Sequence, residues 1–214
     1  MPRKRPAKTT PSPSKKDVQK IIQDIRDILT LEVMGQEGRL GKFVMAACEE
    51  LISNPRFAAT PAAVLKHHAY PGGLALHTLQ VLRLVVNMAN ACPSEHRPDR
   101  LVLFYAAIFH DAGKMIDYET CDKRKNPKAE NGFWFTQNHN LIGHLIGSHK
   151  IMRDTRQPPW EAKRQANAEH CVLAHHGRLE WGSPVTPSTV EAWILHLADM
   201  LSSRFDDPTE GKRK

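Results

Sequence analysis

The stretch LVLFYAAIFHDAGK, residues 101–114, decides how the rest of the chain is read. Asp99 stands two residues before it, where an N-cap belongs, so residues 101–109 predict an apolar helix. His110 and Asp111 close that helix. Consecutive residues on a helix point about 100° apart, so both reach one ion only where the helix is ending, and Gly113 supplies the ending. An aspartate at such an end can bridge two ions, one per oxygen, and a two-metal site can clamp a phosphodiester. Lys114 follows, placed to set a cation beside a metal-held phosphate.

Other helical patterns carry the same kind of residue. His77 lies just past Gly72-Gly73, and His144 lies early in its helix, in LIGH. His175-His176 ends a helix before Gly177, and Asp199 lies in LHLAD. Five separate helices therefore each offer an imidazole or a carboxylate among apolar neighbours. A polar side chain on an apolar face costs free energy unless it has a partner. A single histidine of this kind is usually a hydrogen-bonded core residue, whereas five sites together are best explained by convergence on metal. Imidazole and carboxylate suit divalent transition ions.

The 214 residues hold 12 histidines against 3 tyrosines, which makes histidine placement the point to explain. Apolar residues make up 41% and charged residues 25%, as in a globular protein, and no apolar run approaches the ~20 residues of a membrane span. The opening residues have no apolar core of a secretory signal. The four cysteines, without a C-x-x-C pair, read as reduced thiols of a cytoplasmic protein, small residues of the core. The net charge of +7 sits at the ends: residues 1–16 hold six bases and no acid, and residues 212–214 are all basic. Between them, residues 17–211 carry a net charge of −2. A basic tail can add salt-sensitive attraction to phosphate backbones, but a solvated terminus explains it as well.

The chain divides into a disordered basic tail (1–16), N-terminal helices (17–60), a main domain (61–207) and a basic C-terminal tail (208–214). Helices are expected from Asp17, from about Lys42 to Ser53, and from a Thr60-Pro61 cap. Further helices cover 74–88, about 140–153 and 160–174, and a last one runs from a Pro187-Ser188 cap to about Arg204. Residues 117–136 read as a polar loop whose Phe133-Trp134-Phe135 can form a hairpin tip. The fold class is all-α, with at most one small β-hairpin.

The ordered set His77, His110-Asp111, His144, His175-His176, Asp199, with HDAGK in the middle, resembles the HD-domain metal-dependent phosphohydrolases. Within them it is most similar to the HD domain of YhaM-type 3′→5′ exoribonucleases. The stretches that carry this are HHAYPGGLALHTLQV (67–81), FHDAGK (109–114), LIGHLIGS (141–148), LAHHGRLEWGSPVTP (173–187) and EAWILHLADMLSS (191–203). They span roughly residues 60–205. Where that family has an N-terminal OB-fold, residues 1–60 read here as tail and helices, and Leu76 stands where a Glu is common.

The resemblance implies an HD-domain helical bundle and two divalent ions, with Mn²⁺ favoured over Fe²⁺, Co²⁺, Ni²⁺ or Mg²⁺. It implies His77, His110, Asp111 and Asp199 as one ligand set, and Asp111, His144 and His175 as the other. His176 is a further ligand or a supporting donor, and Lys114 binds the scissile phosphate. The implied activity is a phosphodiesterase acting on RNA ends or short oligonucleotides. Two alternatives stand beside it, a hydrolase of small nucleotides and a non-catalytic nucleotide- or RNA-binding module. A homo-oligomer is compatible with either, and a membrane partner is not expected. His67 and His68 before Pro71-Gly72-Gly73 either orient substrate or pack the loop. Trp181 stacks a base or plugs the loop, and His196 supports the ligands or packs the core. His139 and His149 read as cap and surface positions, His170 as facing away from the site, and His96 as without a role.

Overall fold

The computed structural model describes residues 12–36, 38–64, 68–129 and 131–205. Ten α-helices are found among them: α1 (Lys15–Leu29), α2 (Arg39–Ile52), α3 (Pro55–Ala59), α4 (Gly73–Ala91), α5 (Arg100–Phe109), α6 (Lys114–Asp117), α7 (Gln137–Leu141), α8 (His144–Asp154), α9 (Ala162–Ala174) and α10 (Val190–Ser202). One antiparallel hairpin, β1 (Tyr118–Thr120) and β2 (Phe133–Phe135), pairs Tyr118 with Phe135 and Thr120 with Phe133. The class is all-α with one small hairpin, as the sequence predicts. No helix among the described residues is long and apolar enough to cross a membrane.

α5 is the axis of the bundle. Asp99 caps it by accepting from the Val102 amide, and every residue from Leu101 to Phe109 is buried. Burying a Val, Leu, Ile or Phe side chain contributes about 1.5–3 kcal/mol, so this helix is anchored by packing rather than by propensity. α4, α9, α10, α2 and α8 pack around it. One hydrophobic core runs from Ile22 in α1 to Ala198 in α10, so the N-terminal helices share the core of the rest.

Several boundaries differ from expectation. α1 begins at Lys15, because Ser14 and Asp17 form a reciprocal capping box, and Lys15 and Lys16 therefore belong to the helix rather than to a tail. The remaining tail residues 1–11, the segment 208–214 and His67 lie outside the described residues. α2 starts at Arg39, three residues early, on a Gly38 whose φ is +53°. No helix starts at Thr60-Pro61. Asn54-Pro55 makes the cap six residues earlier, and Thr60 ends α3 in extended geometry. The helix expected over about 140–153 is divided into α7 and α8 at Gly143. The cap of α10 is Thr189, which accepts from the Ala192 amide, while Ser188 binds His170.

Candidate metal centre

α5 and α9 end in the same way. His110 is the C-cap of α5, and its Nδ1–H donates to the Ala107 carbonyl at 2.8 Å. His175 is the C-cap of α9, and its Nδ1–H donates to the Val172 carbonyl at 2.7 Å. The last carbonyls of a helix lack intrahelical donors, so each imidazole satisfies an orphan acceptor and aims Nε2 onward. His176 does the same from the following turn, donating Nδ1–H to the Trp181 carbonyl at 2.8 Å. His77 is held from α4: its Nδ1–H meets Ser202 Oγ at 2.9 Å, and that hydroxyl donates to Gln80 Oε1. Four imidazoles thus present Nε2 to one region.

Asp111 lies at the centre, 2% exposed. Its Oδ2 is 3.3 Å from His77 Nε2, 3.5 Å from His110 Nε2 and 2.5 Å from Lys114 Nζ. Its Oδ1 faces the other way, 3.6 Å from both His144 Nε2 and His175 Nε2. Asp199 Oδ1 completes the first side, 3.0 Å from His77 Nε2. Two groups of potential ligands result: His77, His110, Asp111 and Asp199, and His144, His175 and His176, each with its donor atoms within 4.8 Å of one another.

Asp111 Oδ1 and His175 Nε2 are buried and have no hydrogen-bond partner among the described residues. A carboxylate oxygen and an imidazole lone pair that face each other without a donor ask for a cation between them. The donor set, imidazole and carboxylate only, fits a divalent transition ion.

The electrostatics agree with that fit. Burial pushes His110 down to about 4, against the pull of Asp111. Burial also carries His176 to about 4 and His144 well below its ordinary range. These rings are neutral near pH 7, the state that binds metal. His77 is the exception: burial opposes its charge, but Asp111 and Asp199 hold a proton there and raise it. Burial likewise works against the charges of Asp111 and Asp199, yet their cationic and imidazole neighbours keep both low. Burial works against the charge of Lys114, but Asp111, Tyr118 and Asp199 together hold its proton and raise it, so it stays an ammonium.

The turn that carries Asp111 is locked by close approach. A Cβ on Gly113 would stand 2.2 Å from the His144 carbonyl oxygen, and the Gly113 amide donates to Ser148 Oγ at 2.8 Å. Any other residue there would push α6 off the start of α8 and move His144. Gly177, at φ +80°, lies against the His196 ring, where a Cβ would approach within 2.2 Å. His196 in turn donates Nδ1–H to the His175 carbonyl, so it supports the loop between the two histidine helices.

A cavity of about 500 Å³ opens on this centre, lined by Asp111, Lys114, His176, Trp181, His196 and Asp199 among others. Trp181 is half-exposed at its wall, with the Arg178 guanidinium 4.8 Å over the ring, and is no plug beneath the loop. His68 does not reach the cavity. It is buried behind His77, with one ring nitrogen on the Tyr70 hydroxyl and the other on Gln80 Oε1, which corrects the expectation that it touches substrate. His139 stacks on Phe135 and binds the buried Asp117, which also holds Asn138 and so anchors α7 ahead of His144. His149 pairs with Glu169.

Sequence reasoning missed Gln80, Ser202, Ser148 and Asp117. A signal existed for the first two, since Gln80 is three residues after His77 and Ser202 three after Asp199, one helical turn on the same face.

Comparison with known families matches residues 74–204 to the HD domain. No solved structure matches the chain. The matched span contains both ligand groups and Lys114.

Proposed function

The chain belongs to the HD-domain family of metal-dependent phosphohydrolases, and from that premise we propose that it is a two-metal phosphodiesterase acting on RNA ends or short oligonucleotides. The observation that carries the reading is the division of Asp111, with Oδ2 toward His77 and His110 and Oδ1 toward His144 and His175. On this reading His77, His110, Asp111 and Asp199 hold one divalent ion, and Asp111, His144, His175 and His176 hold the second, Mn²⁺ being the favoured species. Ions held there supply Lewis-acid polarisation of a phosphodiester and activation of water.

The chain's own groups do the rest. Lys114 neutralises a non-bridging phosphate oxygen whose charge grows as phosphorus is attacked. Trp181, half-exposed and backed by Arg178, offers a sequence-tolerant face to a base. The cavity of about 500 Å³ suits one terminal nucleotide entering end-on, the arrangement of an exonuclease.

The same volume supports a second reading, in which the substrate is a small nucleotide such as a dNTP, a dinucleoside polyphosphate or a cyclic nucleotide. A panel in Mn²⁺ separates them: a labelled oligoribonucleotide with a free 3′-hydroxyl, its DNA equivalent, 5′-mononucleotides, dNTPs and cyclic dinucleotides. Stepwise shortening of the oligoribonucleotide is expected. Turnover of small nucleotides alone selects the second reading, and a fully metal-loaded protein inert on the whole panel overturns both.

A further inference from the structure

α10 has two contrasting faces. Its inner face, with Ala192, Ile194, Leu195, His196, Ala198 and Ser202, is buried against α4, α9 and α5. Its outer face exposes Val190, Trp193, Leu197 and Leu201, and Phe205 continues the row past the helix end. These five keep between 41 and 53% of their surface in solvent. Residues 193, 197 and 201 fall on one i+4 ridge, and none of the five bears a charge. A row of large apolar side chains on a surface helix is the mark of an interface.

We propose that this ridge pairs with the same ridge of a second copy of the chain, antiparallel about a two-fold axis at Leu197. The spacing of the ridge is nearly symmetric about Leu197. Trp193 and Leu201 lie four residues either side of Leu197, and Val190 and Phe205 lie seven and eight. A two-fold axis sets Trp193 against the partner's Leu201 and Val190 against the partner's Phe205, a large residue meeting a small one in each case. An isologous interface requires this self-complementarity, and a ridge free of charge avoids the like-charge clash that a two-fold imposes on its own axis. Interdigitating i+4 ridges cross at about −50°.

The area suffices. Trp181, at the cavity wall, is not part of the patch, because its exposed face belongs to the proposed substrate site. With a whole aromatic side chain at about 150–250 Å², the five residues of the ridge present on the order of 450 Å². An interface about 65% apolar would then cover roughly 700 Å² per copy, within the range of about 600–1,000 Å² per partner for stable pairs. The chain's own termini are poor covers. Residues 1–11 contain one large apolar residue, Met1, and residues 206–214 (DDPTEGKRK) contain none. The inference is independent of what the centre hydrolyses.

The test is the mass of the full chain in solution by light scattering, from low-micromolar to near-millimolar concentration. Wild type is expected at twice the mass of one chain. Leu197→Glu sets two carboxylates face to face at the axis and should weaken the pair on the order of a hundredfold, with circular dichroism and metal content unchanged. Helix axes about 8–10 Å apart, less two Cα radii of about 2.3 Å, leave facing Cα atoms near disulfide distance. Leu197→Cys should therefore cross-link two chains on mild oxidation where wild type does not, and this arm decides if Leu197→Glu fails to fold. A monomer at every concentration, a dimer that Leu197→Glu leaves intact, or no cross-link at position 197 overturns the proposal.

Discussion

Lys114→Met tests the centre most sharply, because the structure assigns this lysine two separable effects. Its ammonium is buried and lies 2.5 Å from Asp111 Oδ2, so it is not a surface lysine solvating a helix end. Removing one partner of a buried ion pair costs about 3–5 kcal/mol, because the other charge is left uncompensated. Asp111 keeps His77 at 3.3 Å, so the lower end of that range applies. For a chain of this length each kcal/mol moves the melting temperature by about 2–4 °C, which gives a fall of roughly 6–12 °C in the metal-free protein. Divalent ions restore the missing positive charge, so saturating Mn²⁺ should recover most of that loss. The variant should also bind metal about tenfold more tightly, since a cation that competes for Asp111 has gone. Turnover should nevertheless fall on the order of 10²–10³-fold in kcat, with KM little changed, as for other lost electrostatic donors. Melting scans with and without Mn²⁺, a metal titration and steady-state kinetics on one preparation read all of these. Normal kcat would remove Lys114 from the chemistry. A melting deficit that Mn²⁺ leaves untouched would refute the assignment of Asp111 as a metal partner.

Asp199 lies only on the His77 side, so Asp199→Asn should weaken one class of metal site, whereas Asp111→Asn should weaken both; equal loss from Asp199→Asn in a two-site titration would contradict the division. Acid should destabilise the metal-free protein. His110 and His176 sit at about 4 when folded and near 6.5 when unfolded, so the unfolded state binds more protons in that window and stability falls as pH drops through it. His77, raised in the fold, works oppositely and takes stability away as pH rises through its folded value, so melting temperature should peak near neutrality; a flat profile between pH 4 and pH 6.5 would refute the burial argument. Burial pushes the Cys171 thiol up to about 12 and raises that of Cys48 further, so native protein should show two fast-reacting thiols, Cys92 and Cys121, and all four only after denaturation.

What was legible in the sequence follows from how strongly each feature constrains its neighbours. α5 was readable to within a residue, because a nine-residue apolar run behind an Asp cap has no other place to go. The histidines and aspartates of the centre stood out because each interrupts an apolar face. Gln80 and Ser202 did not, since a neutral polar residue one turn from a histidine looks the same whether it faces water or holds an imidazole. The Thr60-Pro61 cap failed against Asn54-Pro55, an equal signal six residues earlier that used up the short segment before Gly73. The division at Gly143 was invisible because LIGHLIGS keeps helical spacing on both sides of a glycine that the fold places at φ +77°. Asp117 was out of reach for another reason, as its partners Asn138 and His139 lie across the hairpin and only the paired strands bring them near.

The ends of α5 and α9 show why the site could be read at all. A helix C-terminus leaves carbonyls without donors, and a histidine at the C-cap can satisfy one with Nδ1–H while its Nε2 points past the helix end. His110 and His175 both do so, through the carbonyls of Ala107 and Val172, three residues back in each case. The same hydrogen bond therefore terminates the helix and selects the ring tautomer whose lone pair is free for an ion. A glycine follows closely in both places, Gly113 and Gly177, because the chain must turn tightly against a neighbour there, the His144 carbonyl in one case and the His196 ring in the other. A helix ending in histidine with glycine within three residues thus encodes termination, tautomer and close packing together, and its two occurrences converge on Asp111, where His110 faces Oδ2 and His175 faces Oδ1.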